Sequence, residues 1–264
     1  MSAAIISEVR KIRSTRLWWI LMLIMVVTVA TFAGFLAFAM VYGMEDAGGG
    51  EVDNEGIAIS IYTMGVSLAY VFPLVLGALS VTSEFRHRTI DATLLLEPSR
   101  LRVIAAKFIA ILPFALLYGL VSIATGMAVG MGAFAIADQP LMLDNEAVWE
   151  SIGLGVVALA TWALIGVGFG TALTNQVVVI VAVLGWTQFV EPLLRVGLSF
   201  FEPVSGVGAY LPGAAGEALV GSSFYSAAGG SDLLPPWAGL LVLLGYALVA
   251  AVIGWLTTFR RDIT

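Results

Sequence analysis

The chain has 264 residues, of which 60% are hydrophobic and 11% are charged, and its mean hydropathy is +1.00. Soluble domains carry roughly a quarter charged residues, so this composition excludes an ordinary water-soluble protein and indicates residence in lipid. The net charge of −6 argues against nucleic acid as a partner, the lack of cysteine excludes disulfides, and the single histidine excludes multi-histidine metal centres.

The first predicted element is an amphipathic helix over residues 1–16. Ile5, Val9 and Ile12 share one face at helical spacing, and Glu8 and Lys11 fall on the charged face. A helix with this pattern lies in the membrane interface instead of crossing it. The apolar run that follows is too long for the core of a signal peptide, so we expect it to be retained as a membrane span.

Six apolar stretches are long enough to cross a bilayer, which takes about 20 residues. They cover residues 17–42, 57–81, 103–134, 148–173, 177–198 and 236–259. The third stretch exceeds the length that a bilayer needs, which predicts a tilted helix or a cytoplasmic extension. The sequence therefore predicts an all-α integral membrane protein with a single transmembrane domain.

The distribution of charge predicts the orientation of the spans. Every lysine and arginine except Arg195 precedes the first span, lies at or between the ends of the second and third, or follows the sixth. The connections 43–56, 135–147 and 199–235 contain acidic residues and no basic ones. Because cytoplasmic loops carry the excess of lysine and arginine, both termini are predicted to be cytoplasmic. The low lysine content and the abundance of Ala, Gly and Val suggest a bacterium, and hence a multi-pass protein of the inner (plasma) membrane.

The segment 82–107 is the one substantial cytoplasmic loop and the densest cluster of charge. Pro98 separates a predicted helix over residues 83–97 from the start of the third span. Phe85 and Ile90 can share one side of that helix, with charged side chains on another. A short amphipathic helix at the cytoplasmic membrane edge serves either to dock a partner protein or to hold the chain on lipid, and both readings stay open.

This segment resembles the first cytoplasmic loop of the ABC type-2 exporter permeases. The resemblance is carried by the run Glu84, Phe85, Arg86, His87, Arg88, Thr89 and Ile90, followed by Pro98, Arg100 and Lys107. Family members commonly have a glycine at the position of Arg88, where this chain departs from the pattern. The predicted spans, the cytoplasmic termini and the long last outer loop extend the resemblance over the whole chain.

The resemblance implies the permease subunit of an ATP-binding-cassette exporter, which is a transport subunit and not an enzyme. Residues 83–97 would be the coupling helix, and Glu84, Phe85, Arg86, His87, Arg88, Thr89 and Ile90 would contact a separate ATPase subunit. That partner would bind Mg-ATP, and this chain would bind no cofactor and no metal. Two permeases, as a homodimer or a related heterodimer joined chiefly through spans one and five, would assemble with two ATPase subunits. The apolar spans favour efflux of an amphipathic substrate such as a drug, a peptide or a lipid.

Two charged residues, Glu191 and Arg195, lie within the fifth span. Their spacing of four residues places them on one helix face, where they can pair. Charge at membrane depth is costly unless it is paired or reaches a watery cavity. The pair therefore either gates or contacts the substrate in the outer half of the translocation route, or is a structural pair near the outer interface.

The partly apolar loop 199–235 is open to two readings as well. It either dips back into the membrane as a re-entrant hairpin or forms an ordinary outer loop. The family commonly has short helices in this place, which close the outer mouth.

Missing motifs restrict the function further. The chain has no GxxxxGK[ST] phosphate loop and no H-E-x-x-H zinc motif, so it is neither an ATPase nor a zinc protease. His87 is interpreted as a solvated or ATPase-facing side chain, because suitable metal ligands do not flank it. An ion-coupled secondary transporter is the main alternative, with Glu191 and Arg195 as its ionisable residues. A passive anchor or regulatory subunit is a further one.

Overall fold

The computed structural model describes residues 1–43, 54–200, 202–221 and 233–259. Several residues that contribute to the predicted orientation lie outside the described residues: Glu45, Asp46, Glu51, Asp53, Asp232, Arg260 and Arg261. The predicted connections 43–56 and 199–235 are therefore described only in part.

Helices make up nearly all of the described chain. In chain order they are α1 (Ser2–Ser14), α2 (Leu17–Gly43), α3 (Asn54–Tyr62), α4 (Met64–Leu68), α5 (Val71–Arg86), α6 (Ile90–Leu96), α7 (Arg100–Ile136), α8 (Glu146–Ala172), α9 (Gln176–Gly185), α10 (Glu191–Ser199), α11 (Pro212–Val220) and α12 (Pro236–Thr257). A π-helical turn, Trp186–Val190, joins α9 to α10, and a 3-10 segment, Glu202–Tyr210, precedes α11.

Five helical segments within the described ranges are long and apolar enough to cross a membrane. They are Leu17–Met40, Arg100–Ile136, Glu146–Ala172, Gln176–Leu198 and Pro236–Thr257. These segments correspond to the first, third, fourth, fifth and sixth predicted spans. The prediction of an all-α membrane protein is confirmed, and the chain crosses the membrane several times.

The second predicted span, residues 57–81, is not one helix but the series α3, α4 and α5. Pro73 lies in the first turn of α5, where its missing N–H is tolerated, but its ring would clash with the carbonyl of Ala69 in a continuous helix. The chain therefore breaks at Ala69 and Tyr70, between α4 and α5. That the three helices together cross the bilayer stays a prediction.

The glycine-rich helix α8 lies at the centre of the bundle, where it packs against α5, α7 and α12. A Cβ atom at Gly77 of α5 would lie 2.1 Å from the carbonyl oxygen of Ala163, and one at Gly166 would lie 2.0 Å from that of Leu74. Only glycine allows the backbones of α5 and α8 to approach so closely, as small residues do between helices in lipid.

The two ends of the bundle differ in charge. At the basic end, α1, α6 and the adjoining ends of α5 and α7 come together and expose Arg10, Arg86 and Arg102. At the opposite, acidic end, the side chain of Asn145 donates a hydrogen bond of 2.7 Å to Glu55. The separation of charge expected from the sequence is therefore present among the described residues.

The segment predicted as one helix over residues 83–97 is instead the last turn of α5, a reversal at residues 87–89, and the short helix α6. Arg88 has a φ of 54°, in the left-handed region. The N–H of Thr89 donates to the carbonyl of Glu84 at 2.9 Å, and that of Arg88 to Phe85 at 3.3 Å. These are the two bonds of a Schellman cap, which favours glycine at the left-handed residue. A glycine would therefore suit position 88 better than arginine does.

Replacing Arg88 with glycine should stabilise the protein. The left-handed conformation costs a side-chain-bearing residue about 1–2 kcal/mol, and the added freedom of glycine in the unfolded chain offsets about 0.5–1 kcal/mol of that gain. We expect a net rise in the free energy of unfolding of up to about 1 kcal/mol, measured as thermal unfolding in detergent. The matched change Arg86→Gly, at a right-handed helical residue, should lower it by a similar amount. Equal effects at the two positions would contradict the capping role.

Candidate functional site

A cluster of ionic side chains, buried apart from the half-exposed Lys11, joins the helices at the basic end. The charge cluster consists of Glu8 and Lys11 of α1, Glu84 of α5 and Lys107 of α7. With two carboxylates and two ammonium groups its formal charge is zero. Three helices that are far apart in sequence therefore meet at one set of ion pairs.

Lys107 is the centre of the charge cluster, and its side chain is fully buried. Its Nζ atom donates to Glu8 Oε2 at 2.6 Å, to Glu84 Oε1 at 2.6 Å and to the carbonyl oxygen of Ser80 at 3.0 Å. An ammonium group has three donors, and here each has an acceptor. The buried charge of α7 is thereby fully satisfied by α1 and α5.

Lys11 connects the charge cluster to α6. Its Nζ atom donates to Glu8 Oε1 at 2.5 Å, to Glu84 Oε1 at 2.8 Å and to Thr93 Oγ1 at 3.0 Å. The Thr93 hydroxyl in turn lies 3.2 Å from Glu84 Oε2, as a donor. Because Thr93 belongs to α6, the short helix at the surface is bonded to the same carboxylate that holds Lys107.

Electrostatics favour the ionised forms of Glu84 and Lys11. Burial acts to raise the pKa of Glu84, but the ammonium groups of Lys107 and Lys11 outweigh it and hold that pKa below its usual value. Burial acts to lower the pKa of Lys11, but its hydrogen bonds and charge interactions with Glu8 and Glu84 raise it above the usual value. The ion pairs are therefore intact at neutral pH, and protonation of Glu84 would weaken them only in acid.

The charge cluster differs from the sequence-based expectations for its members. Glu84 was predicted to contact a partner protein, but it is 4% exposed and its carboxylate binds within the chain. Glu8 and Lys11 were assigned to the charged face of an interfacial helix, yet they point towards α5 and α7. One feature of the sequence could have pointed to the charge cluster: Lys11 and Lys107, which both belong to it, are the only lysines in the chain.

The remaining residues of the predicted coupling set divide into internal and external groups. Ile90 is 2% exposed, and the ring of Phe85 packs edge-on against Phe259, with 5.8 Å between ring centroids. Arg100 donates a hydrogen bond to the carbonyl of Phe259. Phe85 and Ile90 thus join α5 and α6 to the end of α12. Arg86, His87, Arg88 and Thr89 are exposed.

The end of α6, which follows these exposed residues in the chain, is exposed as well: Leu95 is 83% exposed and Leu96 is 88% exposed. We call Arg86, His87, Arg88, Thr89, Leu95 and Leu96 the coupling surface. A groove of about 720 Å³ runs between Arg86, Arg88 and Asp91 on one side and Asn175 and Gln176 on the other. Exposed leucines beside cationic groups are typical of a protein contact surface.

Near the acidic end, Arg195 of α10 forms an ion pair with Glu217 of α11, with 2.6 Å between Nη2 and Oε2. The Oε1 atom of Glu191 accepts the N–H of Ala214 at 3.0 Å, and its Oε2 atom is buried without a hydrogen-bond partner. Arg195 thus forms its direct ion pair with Glu217, whereas its charge acts on Glu191 without a hydrogen bond between the two side chains among the described residues. Glu217 lies 22 residues from Arg195, in a loop where sequence spacing gave no reason to choose it.

The helix α11 is packed inside the bundle although it belongs to the last outer loop. Residues from Pro212 to Val220 are buried against α8 and α12, apart from Gly213, which is half-buried. A Cβ atom at Gly216 would lie 3.0 Å from Nε1 of Trp162, a residue near the middle of α8. The helix therefore reaches the middle depth of the bundle from the acidic end.

Within the described part of the chain, no group of three or more His, Cys, Asp or Glu side chains could hold a metal ion.

Removing the positive charge of Lys107 should be severely destabilising. Lys107→Met leaves Glu8 and Glu84 buried with too little positive charge. We expect this to lower the free energy of unfolding by about 3–5 kcal/mol. Because Lys11 still balances one of the two carboxylates, adding Glu8→Gln removes the single excess negative charge, so the double variant should recover a large part of the loss. The measurement is denaturant unfolding of the purified protein in detergent.

Arg102→Met is the matched control, because Arg102 is exposed and its pair with Glu97 spans 3.4 Å. Arg102→Met should lower the free energy of unfolding by less than about 1 kcal/mol. A Lys107→Met variant as stable as Arg102→Met would show that the charge cluster does not hold the helices together.

Comparison with known proteins agrees with this architecture. The chain matches the family model described as ABC-2 family transporter protein over residues 4–201. No curated protein matches the chain. The matched region contains the charge cluster, the coupling surface and the first five predicted spans. Since the match covers well over half of its length, the chain belongs to the ABC-2 family of transporter membrane proteins.

Proposed function

We propose that the chain is the permease subunit of an ATP-binding-cassette exporter, moved by a separate ATPase subunit that docks on the coupling surface. The observation that carries the proposal is the bonding of this surface to the membrane helices. Glu84, one turn before the exposed reversal, binds Lys107 at the start of α7 and, through Lys11, the helix α1. A force applied to the coupling surface thus reaches three helices at once.

The basic end of the bundle faces the cytoplasm in this proposal, so both termini are inside and the ATPase approaches from that side. The excess of arginine and lysine at this end supports the orientation. The family supports an ATP-binding partner and association of permeases. The membrane is the inner (plasma) membrane of a bacterial cell.

Docking combines charge with apolar contact. The exposed pair Leu95 and Leu96 offers the apolar part, and the groove beside Arg86 and Arg88 accepts acidic side chains of the partner. The partner binds Mg-ATP and hydrolyses it, and two such subunits close on each other. The resulting displacement moves α6, α5, α1 and α7 together, because the charge cluster holds them as one body.

A second permease copy completes the translocation route. The chain exposes large apolar side chains on the first and fifth spans, among them Phe35 (71%) and Phe38 (63%) of α2 and Leu193 (73%) of α10. These faces are proposed to meet across the dimer. The route between them carries an amphipathic substrate such as a drug, a peptide or a lipid.

The helix α11 and its ion pair form the outer gate of this route. Arg195 and Glu217 hold α11 against α10, and Glu191 receives the N–H of Ala214 at the start of the same helix. We therefore assign Glu191 and Arg195 a gating role, with α11 re-entering the membrane from the outside. A bonded pair between two helices can open without leaving either charge in lipid, provided that water enters as they part.

An ion-coupled secondary transporter is a second candidate, and one observation favours it. The Oε2 atom of Glu191 is buried and has no hydrogen-bond partner, which suits a carboxyl group that takes up and releases a proton. In that mechanism no ATPase would be needed. Flux would then depend on the proton gradient and stop when an uncoupler collapses it.

The test is affinity purification of the detergent-solubilised protein from its native membrane, with mass spectrometry and an ATPase assay. Wild type should retain an ATPase that the variant Leu95→Asp/Leu96→Asp loses, because two exposed leucines would be replaced by charge in the contact. Ile136→Asp is the control, since Ile136 is 78% exposed at the end of α7 farthest from the coupling surface. It should retain the ATPase.

Two outcomes contradict the proposal. Undiminished ATPase recovery with the double aspartate variant would place the docking site elsewhere. A wild-type protein that brings no ATPase, together with substrate flux that an uncoupler abolishes, would favour the secondary transporter.

A further inference from the structure

A cavity of about 340 Å³ lies within the single chain, between α8, α9, the π-helical turn and α12. Four aromatic side chains contribute to its wall: Trp162, Phe169, Trp186 and Tyr246. No acidic or basic side chain lines it among the described residues. Cavities of this size that are mainly apolar, with a few polar groups, are typical of small-molecule sites.

The cavity extends from the middle of the bundle towards the basic end. Trp162 lies near the middle of α8, and Phe169 and Leu173 follow it towards the basic end of that helix. Pro212, the first residue of α11, contributes to the wall on the other side. The helix proposed as the outer gate thus closes the cavity towards the acidic end.

The wall combines a buried floor with a partly exposed opening. Trp162 is 1% exposed, and its ring stacks on Tyr70 at 4.3 Å with 23° between the ring planes. Trp186 is 42% exposed and Tyr246 is 37% exposed, so these two rings lie at the opening. Aromatic rings bind planar apolar molecules by stacking and edge contacts, whereas an ion would lose its hydration without finding a counter-charge.

The cavity wall is also bonded to the break in the second span. Tyr70, at the junction of α4 and α5, donates its hydroxyl proton to the carbonyl of Thr187 at 3.2 Å and accepts from Gln188 at 3.4 Å. Thr187 belongs to the π-helical turn and lines the cavity. Broken helices and π-helical turns recur at the binding sites of transporters and other functional sites, because their backbone can rearrange at low cost.

We propose that this cavity binds an uncharged molecule with aromatic or fused rings, which enters between Trp186 and Tyr246. The identification of this molecule as exported substrate rests on the proposed function; the binding itself does not. The aromatic wall favours rings over a lipid tail, since a saturated chain gains nothing from stacking. If the bound molecule displaced Thr187, the hydrogen bond from Tyr70 would transmit this displacement to the junction of α4 and α5.

The experiment uses the purified permease alone in phosphatidylcholine nanodiscs, with pyrene as the neutral ring-bearing probe. Energy transfer from tryptophan to pyrene reports occupancy, and it should be saturable above the linear signal of pyrene dissolved in the lipid. Ala182 lines the cavity and is exposed, so Ala182→Phe places a ring in the cavity without a clash in the core. Val181 is 63% exposed and does not line the cavity, which makes Val181→Phe the matched control.

The proposal predicts that Ala182→Phe weakens pyrene binding by about tenfold or more, the loss expected when a ring-sized group is excluded from an apolar site. Val181→Phe should bind as wild type does, and thermal unfolding should show that both variants fold. A linear signal in all three proteins would overturn the proposal. If dodecane competed with pyrene as strongly as a ring-bearing molecule does, a lipid tail would be the occupant, and the proposal would be overturned as well.

Competition by 1-pyrenesulfonate as strong as that by pyrene would refute the requirement for a neutral ligand. Because no ATPase is present in this experiment, a failure of pyrene to bind would not contradict the proposed docking of the ATPase. Conversely, saturable binding would stand even if no ATPase were recovered with the chain.

Discussion

The structure depends on one constraint: the two lysines and two glutamates at the basic end must pair with one another. Lys107 cannot be separated from Glu8 and Glu84 without leaving its fully buried ammonium group unpaired. The cost of breaking the set is therefore much larger than the gain from any one pair. This makes the ends of α1, α5 and α7 a single mechanical unit, and Lys11 extends that unit to α6 through Thr93.

The opposite end of the bundle is built differently. There the Arg195–Glu217 pair connects α10 to α11, and Glu191 has one oxygen without a partner. The aromatic cavity lies between the two charged regions, next to the broken second span. Tyr70 bonds the broken second span to the π-helical turn, so the two departures from regular helix lie together in the middle of the bundle.

Length and hydropathy were enough to predict the all-α membrane fold, because a bilayer imposes about 20 apolar residues on every crossing helix. The break in the second span was missed, since Pro73 stands in an apolar run that reads as continuous. Spacing predicted a Glu191–Arg195 pair, but Glu217 approaches Arg195 from a loop whose path the sequence does not show. The motif singled out Glu84 as a partner contact, whereas its carboxylate is buried and binds Lys107 and Lys11, because periodicity does not tell a buried ion pair from a partner contact.

Distances between spin labels in the assembled transporter test the central claim most directly. The chain has no cysteine, so Ser7→Cys in α1 and Ala92→Cys in α6, both exposed positions, can be labelled selectively. Labelled permease is diluted into unlabelled permease to measure the distance within one copy, and Ala92→Cys alone gives the distance between copies. If the charge cluster makes these helices one body, addition of ATP leaves the Ser7–Ala92 distance unchanged while the Ala92–Ala92 distance shifts. A change in the Ser7–Ala92 distance would contradict the account.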